Sequence, residues 1–308
     1  MFSRLICAGL LGGVAAFAAS SAPTAFAHGF AGARFFPATL VTDDPFVADE
    51  LALPTIALFK DAGDVRNTTY SMDLAKRITA NFGLEFGGTY IHLRQPDGSS
   101  VDGFDNVSVG AKYQLLVDAA REAILAIGVS ADIGGTGAKR IGAGSFSTIR
   151  PTFFFGKGFG DLTDQTSLLR PFAVTGSLGV GIPTEAHSPD GSGGFEQHPN
   201  TLGVGLALEY SLPYLQSQVK NIGLGPPFDR MIPLVEFSWE TPLDRGGGES
   251  TGTLNPGLLW AGQYIQLAAE AIVPINRASG HAVGFIAQLH FYIDDVFPQT
   301  LGRPIFGA

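Results

Sequence analysis

Nine ionisable residues fall on the less apolar side of segments that repeat every two residues: Asp73, Glu85, Lys112, Asp132, Arg150, Glu209, Glu236, Glu240 and Glu270. On the inner face of a sheet closed around a lumen, such groups could form a polar constriction that orients a solute and favours cations. They could equally form a network of ion pairs and hydrogen bonds filling the interior, because ionisable groups out of water need partners. The sequence leaves both readings open. Ser211, Ser238, Glu236 and His290 share that side and would supply a nucleophile, an acid and a base for lipid hydrolysis. No spacing selects them, however, and no Gly-x-Ser-x-Gly elbow is present. His187 and His198 share a loop with Asp190 and Glu196 without metal-ligand spacing, whereas an amino-terminal His28 could chelate copper through its amine and ring. His92 and His290 are expected to be hydrogen-bonding residues of rim or lumen. No catalytic residue, metal site or cofactor is therefore expected.

The elements that would position these residues are strands. From Thr79 to Leu93, Phe82, Leu84, Phe86, Gly88 and Tyr90 alternate with Asn81, Gly83, Glu85, Gly87 and Thr89, as side chains do on opposite faces of a β-strand. The arm at 106–117 repeats the pattern after turn-forming residues at 95–103. Each arm could span a tilted bilayer crossing, which takes about 9 to 11 residues. The same alternation predicts strands at 51–60, 67–76, 123–133, 146–159, 170–182, 202–212, 231–241, 251–260, 264–275 and 282–293, twelve in all. A short helix is expected at 215–220.

Composition selects a membrane setting. Of 308 residues only 15% are charged, with 41 glycines, against about 25% charged in ordinary soluble domains. No internal apolar run reaches the roughly 18 residues of a spanning helix, so a closed barrel is the remaining way to satisfy every backbone group in lipid. Residues 1–27 have a basic start at Arg4, an apolar run and an Ala25-Phe-Ala27 cleavage signal, the form of a secretory leader. Cleavage there removes Cys7, the single cysteine, leaving neither disulfide nor thiolate metal chemistry. Lipidation at Cys7 is rejected because Arg4-Leu-Ile6 is no apolar lead. The excess of 28 acidic over 19 basic residues argues against nucleic acid as a partner.

An even strand count places both termini in the periplasm. Loops 95–103, 134–145 and 184–201 then fall outside, while 77–79, 118–122 and 261–263 fall inside. The long connections 160–169 and 213–229 break that rule and put one strand boundary in question. The polar faces carry mostly Gly, Ala, Ser, Thr and Asn, which suits a narrow lumen rather than a water-facing surface. Tyr90, Tyr113, Tyr210, Trp239 and Trp260 lie toward strand ends as an aromatic girdle would. Pro151, Pro171, Pro233, Pro256 and Pro274 each remove a ladder donor, and most are expected near strand ends. Residues 28–50, without a sustained period, are expected to pack on the periplasmic mouth or inside the lumen, and 51–308 to form the barrel.

Lys76-Arg-Ile-Thr-Ala-Asn-Phe-Gly-Leu-Glu-Phe-Gly87 and the ending Phe291-Tyr-Ile-Asp-Asp-Val-Phe-Pro-Gln-Thr-Leu-Gly-Arg-Pro-Ile-Phe306 resemble a proteobacterial outer-membrane family grouped under the meta-pathway of phenol degradation. The resemblance spans about residues 50–308 and implies a channel or uptake role for small molecules, aromatic or hydrophobic ones among them. It carries over no site residues. One departure is that the last strand is followed by Asp294–Ala308, where many bacterial barrels end on a terminal aromatic; that tail is expected to fold into the periplasmic mouth. The expected fold is thus an all-β, antiparallel up-and-down transmembrane barrel in the cell outer membrane. Its expected partners are outer-membrane lipid, a small-molecule solute and the barrel assembly machinery. The competing functions are a structural or adhesive barrel without transport and, third, an outer-membrane lipid hydrolase.

Overall fold

The computed structural model describes residues 29–189 and 194–307. The expected leader, His28 and Asp190 lie outside the described residues. Among these residues, the two-residue period yields twelve barrel strands, each antiparallel to its chain neighbours: β1 (Glu50–Lys60), β2 (Arg66–Arg77), β3 (Phe82–Arg94), β4 (Ser108–Asp118), β5 (Ala123–Asp132), β6 (Thr148–Gly158), β7 (Phe172–Pro183), β8 (Thr201–Tyr210), β9 (Met231–Pro242), β10 (Thr251–Ala261), β11 (Ile265–Pro274) and β12 (Gly284–Tyr292). The meander closes where β12 pairs with β1, Phe285 opposite Leu58 and Phe291 opposite Leu51. Closure leaves no open sheet edge, the condition for a sheet to sit in lipid. A short segment, Ser100–Phe104, runs beside the upper part of β3 and prolongs the stave that β4 completes.

The faces are inverted relative to a water-soluble protein. Tyr113, Val129 and Leu178 are 46%, 47% and 48% exposed, whereas Glu236 is 0% and Lys112 is 4% exposed. A continuous apolar exterior around a polar interior is stable only where lipid covers the outside. Small residues let the inner walls approach: a Cβ on Gly205 would lie 2.8 Å from the Ser177 hydroxyl and 3.0 Å from Thr42.

The first and last described residues lie at one end of the barrel, taken as periplasmic, and the two long connections that break the alternation of loop lengths are there as well. Their length has a structural use. Residues 159–171 and 211–230 build a ledge around the root of the N-terminal segment: Ser211 caps a short helical turn at Leu212–Tyr214 that continues through Leu215–Val219, and the Arg170 and Pro171 carbonyls accept from Arg34. No strand is gained or lost, and the expected strand ends shift by three residues at most, from Thr79 to Phe82 at the start of β3. Pro256 departs from expectation, for it sits mid-strand opposite Val235, and the β10–β11 register skips Asn255 and Pro256. The tail continues past a short helix, Ile293–Val296, and lies on the β2–β3 turn, where the Phe306 amide donates to the Ile78 carbonyl at 2.8 Å.

Candidate functional site: a plug inside the lumen

Residues 29–49 have no sustained alternation, so they form no stave; they fill space inside the ring. The segment starts as a two-residue ladder, Phe30–Ala31 against Arg34–Phe35, then enters the barrel and returns to β1. Arg34 anchors its root. This fully buried guanidinium is 3.1 Å from the Glu122 carboxylate, donates to the Pro171 carbonyl at 2.9 Å and lies 3.7 Å from the centre of the Tyr214 ring. The Tyr214 hydroxyl closes the group by donating to Glu122 at 2.7 Å. Where the segment rejoins the wall, Asp49 accepts from the Arg77 amide at 2.7 Å, from Arg77 Nε at 2.8 Å and from Lys76 Nζ at 2.7 Å.

The apex, Leu40–Asp44, meets two of the nine ionisable residues directly. Glu236 on β9 accepts three successive backbone amides, from Leu40 at 2.7 Å, Val41 at 3.1 Å and Thr42 at 2.5 Å. A buried carboxylate is thus satisfied without a cation, by donors that would otherwise be orphaned. On the opposite wall, Lys112 Nζ is 2.9 Å from Asp43, 2.9 Å from Glu85 and 3.0 Å from the Asp44 carbonyl, and lies over the Phe154 ring. The confined position of Asp44 pushes its carboxyl up to about 7, with Lys112 pulling the other way. The apex therefore carries less than its full negative charge near neutral pH, which eases its place beside Glu85 and Glu50.

The structure brings together Glu85 with Lys112, and Arg150 with Glu240 at 3.2 Å. Glu209 and Glu270 are buried on the wall that the plug covers, Glu270 within electrostatic reach of Glu236. Asp73 lines a cavity beside the plug. Asp132, the outermost residue of β5, lies opposite Thr148 and Ser108 and makes no ion pair among the described residues. The hydrolytic candidates are not assembled. Ser238 bonds Thr253 at 3.0 Å, Ser211 caps Tyr214 at 3.2 Å, and His290 faces Glu50 at 3.2 Å. His198 is taken up by the Ser188 hydroxyl at 2.9 Å and by the Phe146 ring.

Sequence reasoning missed Arg34, Asp43, Glu122 and the inward Phe154. One signal was available: seven inward carboxylates faced two inward cations, so further donors had to come from outside the strands.

Three cavities surround the apex. An outer vestibule of about 550 Å³ opens above Val41 and contains Arg150, Glu240 and Ser238. A neck of about 160 Å³ between Val41, Lys112, Phe154 and Thr152 adjoins it. The neck shares Asp43, Glu85, Lys112 and Ser130 with a third cavity of about 280 Å³, which reaches down past Asp73 and His290 to Glu50 at the start of β1.

No family model matches the chain, and no curated protein does, so the resemblance to the phenol-degradation family has no sequence-level match behind it. Among solved structures, an outer membrane channel from Pseudomonas putida F1 aligns with a TM-score of 0.56 at 11% identity, over 80% of this chain and 96% of that one. The β domain of the Bordetella autotransporter BrkA aligns at TM-score 0.42 and 12% identity over 79% and 98% of the two chains. LpxR from Salmonella typhimurium aligns at 0.43 and 9% over 79% and 99%. The first likeness establishes the fold. The protein is an outer-membrane β-barrel of twelve strands, a scaffold that hosts channels, translocators and enzymes alike.

Proposed function

We propose that the protein is an outer-membrane channel for small molecules, and that solutes pass beside the plug along the Lys112 wall. The observation that carries this reading is the chain of vestibule, neck and lower cavity, each sharing residues with the next. Charged, hydroxyl and glycine residues dominate its walls, which favours small water-soluble solutes; aromatic compounds fit if they carry polar groups. Asp73, Glu85, Asp132 and Glu240 around Lys112 and Arg150 would weight passage toward cations. Insertion by the barrel assembly machinery and cleavage after Ala27 belong to the same reading. The test is solute uptake by purified, folded protein in liposomes. Flux that falls with solute size supports it, and the absence of flux for any small solute overturns it.

The tight hold of Glu236 on the apex favours a second reading, a closed structural or adhesive barrel. Deleting loop 184–201 would then abolish adhesion while leaving membrane insertion intact, with no flux before or after.

A further inference from the structure

The lipid-facing side of the barrel carries one row that its surroundings do not explain. In the register of the first three strands Lys60 lies opposite Arg66, and Arg66 lies opposite Arg94. Directly opposed residues share a face, and Arg66 shares the even-numbered face of β2 with Tyr70 and Leu74, exposed at 46% and 41%. Three cations thus stand side by side, pointing outward, at the end of the barrel away from the termini. They border a cleft of about 430 Å³ with Asp64, Gln95, Pro96 and Gly98. Lys60 has Asp64 at 3.3 Å, and His281 reaches the same carboxylate at 3.2 Å. Arg66 and Arg94 have no acidic partner among the described residues.

Like charges directly opposed across a sheet are destabilising, so such a row calls for an anion. Its depth identifies which one. Tyr70 lies opposite Tyr90 on the same face, four residues below the row. That spacing is about 13 Å along a strand, or about 10 Å along the membrane normal at the tilt of barrel strands. An aromatic pair at the edge of the hydrocarbon region therefore puts the cations among the headgroups of the outer leaflet. The row is not repeated at the outer ends of β6 and β7, where the outward pair is Ile149 opposite Ile182, both exposed. In a chain of net charge −9, a local cationic strip is not a by-product of composition.

We infer that Lys60, Arg66 and Arg94 form a binding site for the phosphate of an outer-leaflet lipid, seating one phosphorylated headgroup against the β1–β3 sector. Two guanidiniums supply forked donors suited to phosphate oxygens, and Lys60, shared with Asp64, adds a third charge. The site does not depend on transport, since it lies on the opposite face of the wall from the lumen.

The test compares wild type with the variant Lys60→Gln, Arg66→Gln, Arg94→Gln, each folded in phosphatidylcholine nanodiscs and titrated with phosphorylated lipid A or with its dephosphorylated form. Bound lipid is read by native mass spectrometry. These side chains are at the rim, so the variant should keep the heat-dependent gel mobility of a folded barrel; a single Arg94→Gln variant repeats the test if it does not. The expected result is a fall of roughly tenfold to a hundredfold in affinity for the phosphorylated lipid alone, steeper at low salt. Equal affinity of variant and wild type, or equal binding of both lipid forms to wild type, overturns the proposal. Full displacement by millimolar inorganic phosphate also overturns it, because the site would then take a free anion.

Discussion

On β8 to β11, inward polar residues are pressed against the plug: Glu236 is capped by three plug amides, Gln266 donates to the Ala38 carbonyl at 2.6 Å, and Glu209, Asn255 and Glu270 are all buried. On β1 to β5, side chains of the same kind face open space, where Asp73, Glu85 and Ser130 line the lower cavity. The two walls differ less in composition than in what the segment 36–46 does to each of them. A plug held off-centre by one carboxylate seals one half of the ring and leaves a passage along the other. Lys112 on β4 is where the plug touches the open wall, buried itself yet bonded to Asp43, whose side chain is 52% exposed. Lumen polarity alone therefore does not identify a conducting surface; the path of the non-strand segment has to be known.

Removing the plug breaks the contrast most severely. Deleting residues 38–45 should raise conductance in planar bilayers several-fold while the barrel still shows heat-dependent gel mobility, and unchanged conductance would mean that the segment does not restrict the lumen. Arg34→Met strips the buried Glu122 of its cation. Breaking a buried pair in this way costs about 3 to 5 kcal/mol, which should appear as a lower urea midpoint in lipid vesicles and as noisier, larger currents as the plug loses its root. Glu236→Gln keeps the shape but loses the charge that three amides point at. A cost of roughly 1 to 2 kcal/mol should appear as brief openings on the sealed side, detected as substates in single-channel records. Glu240→Gln should change least. Its bond to Arg150 is half exposed, and such pairs contribute about 0 to 1 kcal/mol, so stability should hold while the vestibule's preference for cations, read as reversal potential in a salt gradient, declines.

The staves were legible because lipid on one side and a lumen on the other impose a period of two on every strand, and Phe82 to Tyr90 obey it without a break. The role of Phe154 was not legible, although its inward direction follows from parity with Arg150 and Thr152. Phe153, Phe154 and Phe155 are consecutive, so the middle one must turn inward, but only the ring's place over Lys112 shows why an aromatic is tolerated there. The plug's course was hidden for a different reason. Backbone amides of Leu40 to Thr42 serve Glu236, and amides carry no side-chain signature, so no residue type in 36–46 announces that partner. Arg34 and Glu122 are far apart in the chain, and the ledge that surrounds their pair is built from long connections whose length alone gives no sign of that use.

The most direct test of the account is a thiol-accessibility experiment in planar bilayers, with Cys7 replaced by alanine. Ser130→Cys lies on the open wall, where it lines both neck and lower cavity, and Asn255→Cys lies on the sealed wall at 1% exposure. A charged methanethiosulfonate reagent should reduce the current through Ser130→Cys and leave Asn255→Cys unchanged. Equal block of both, or block of Asn255→Cys alone, would contradict passage along the Lys112 side.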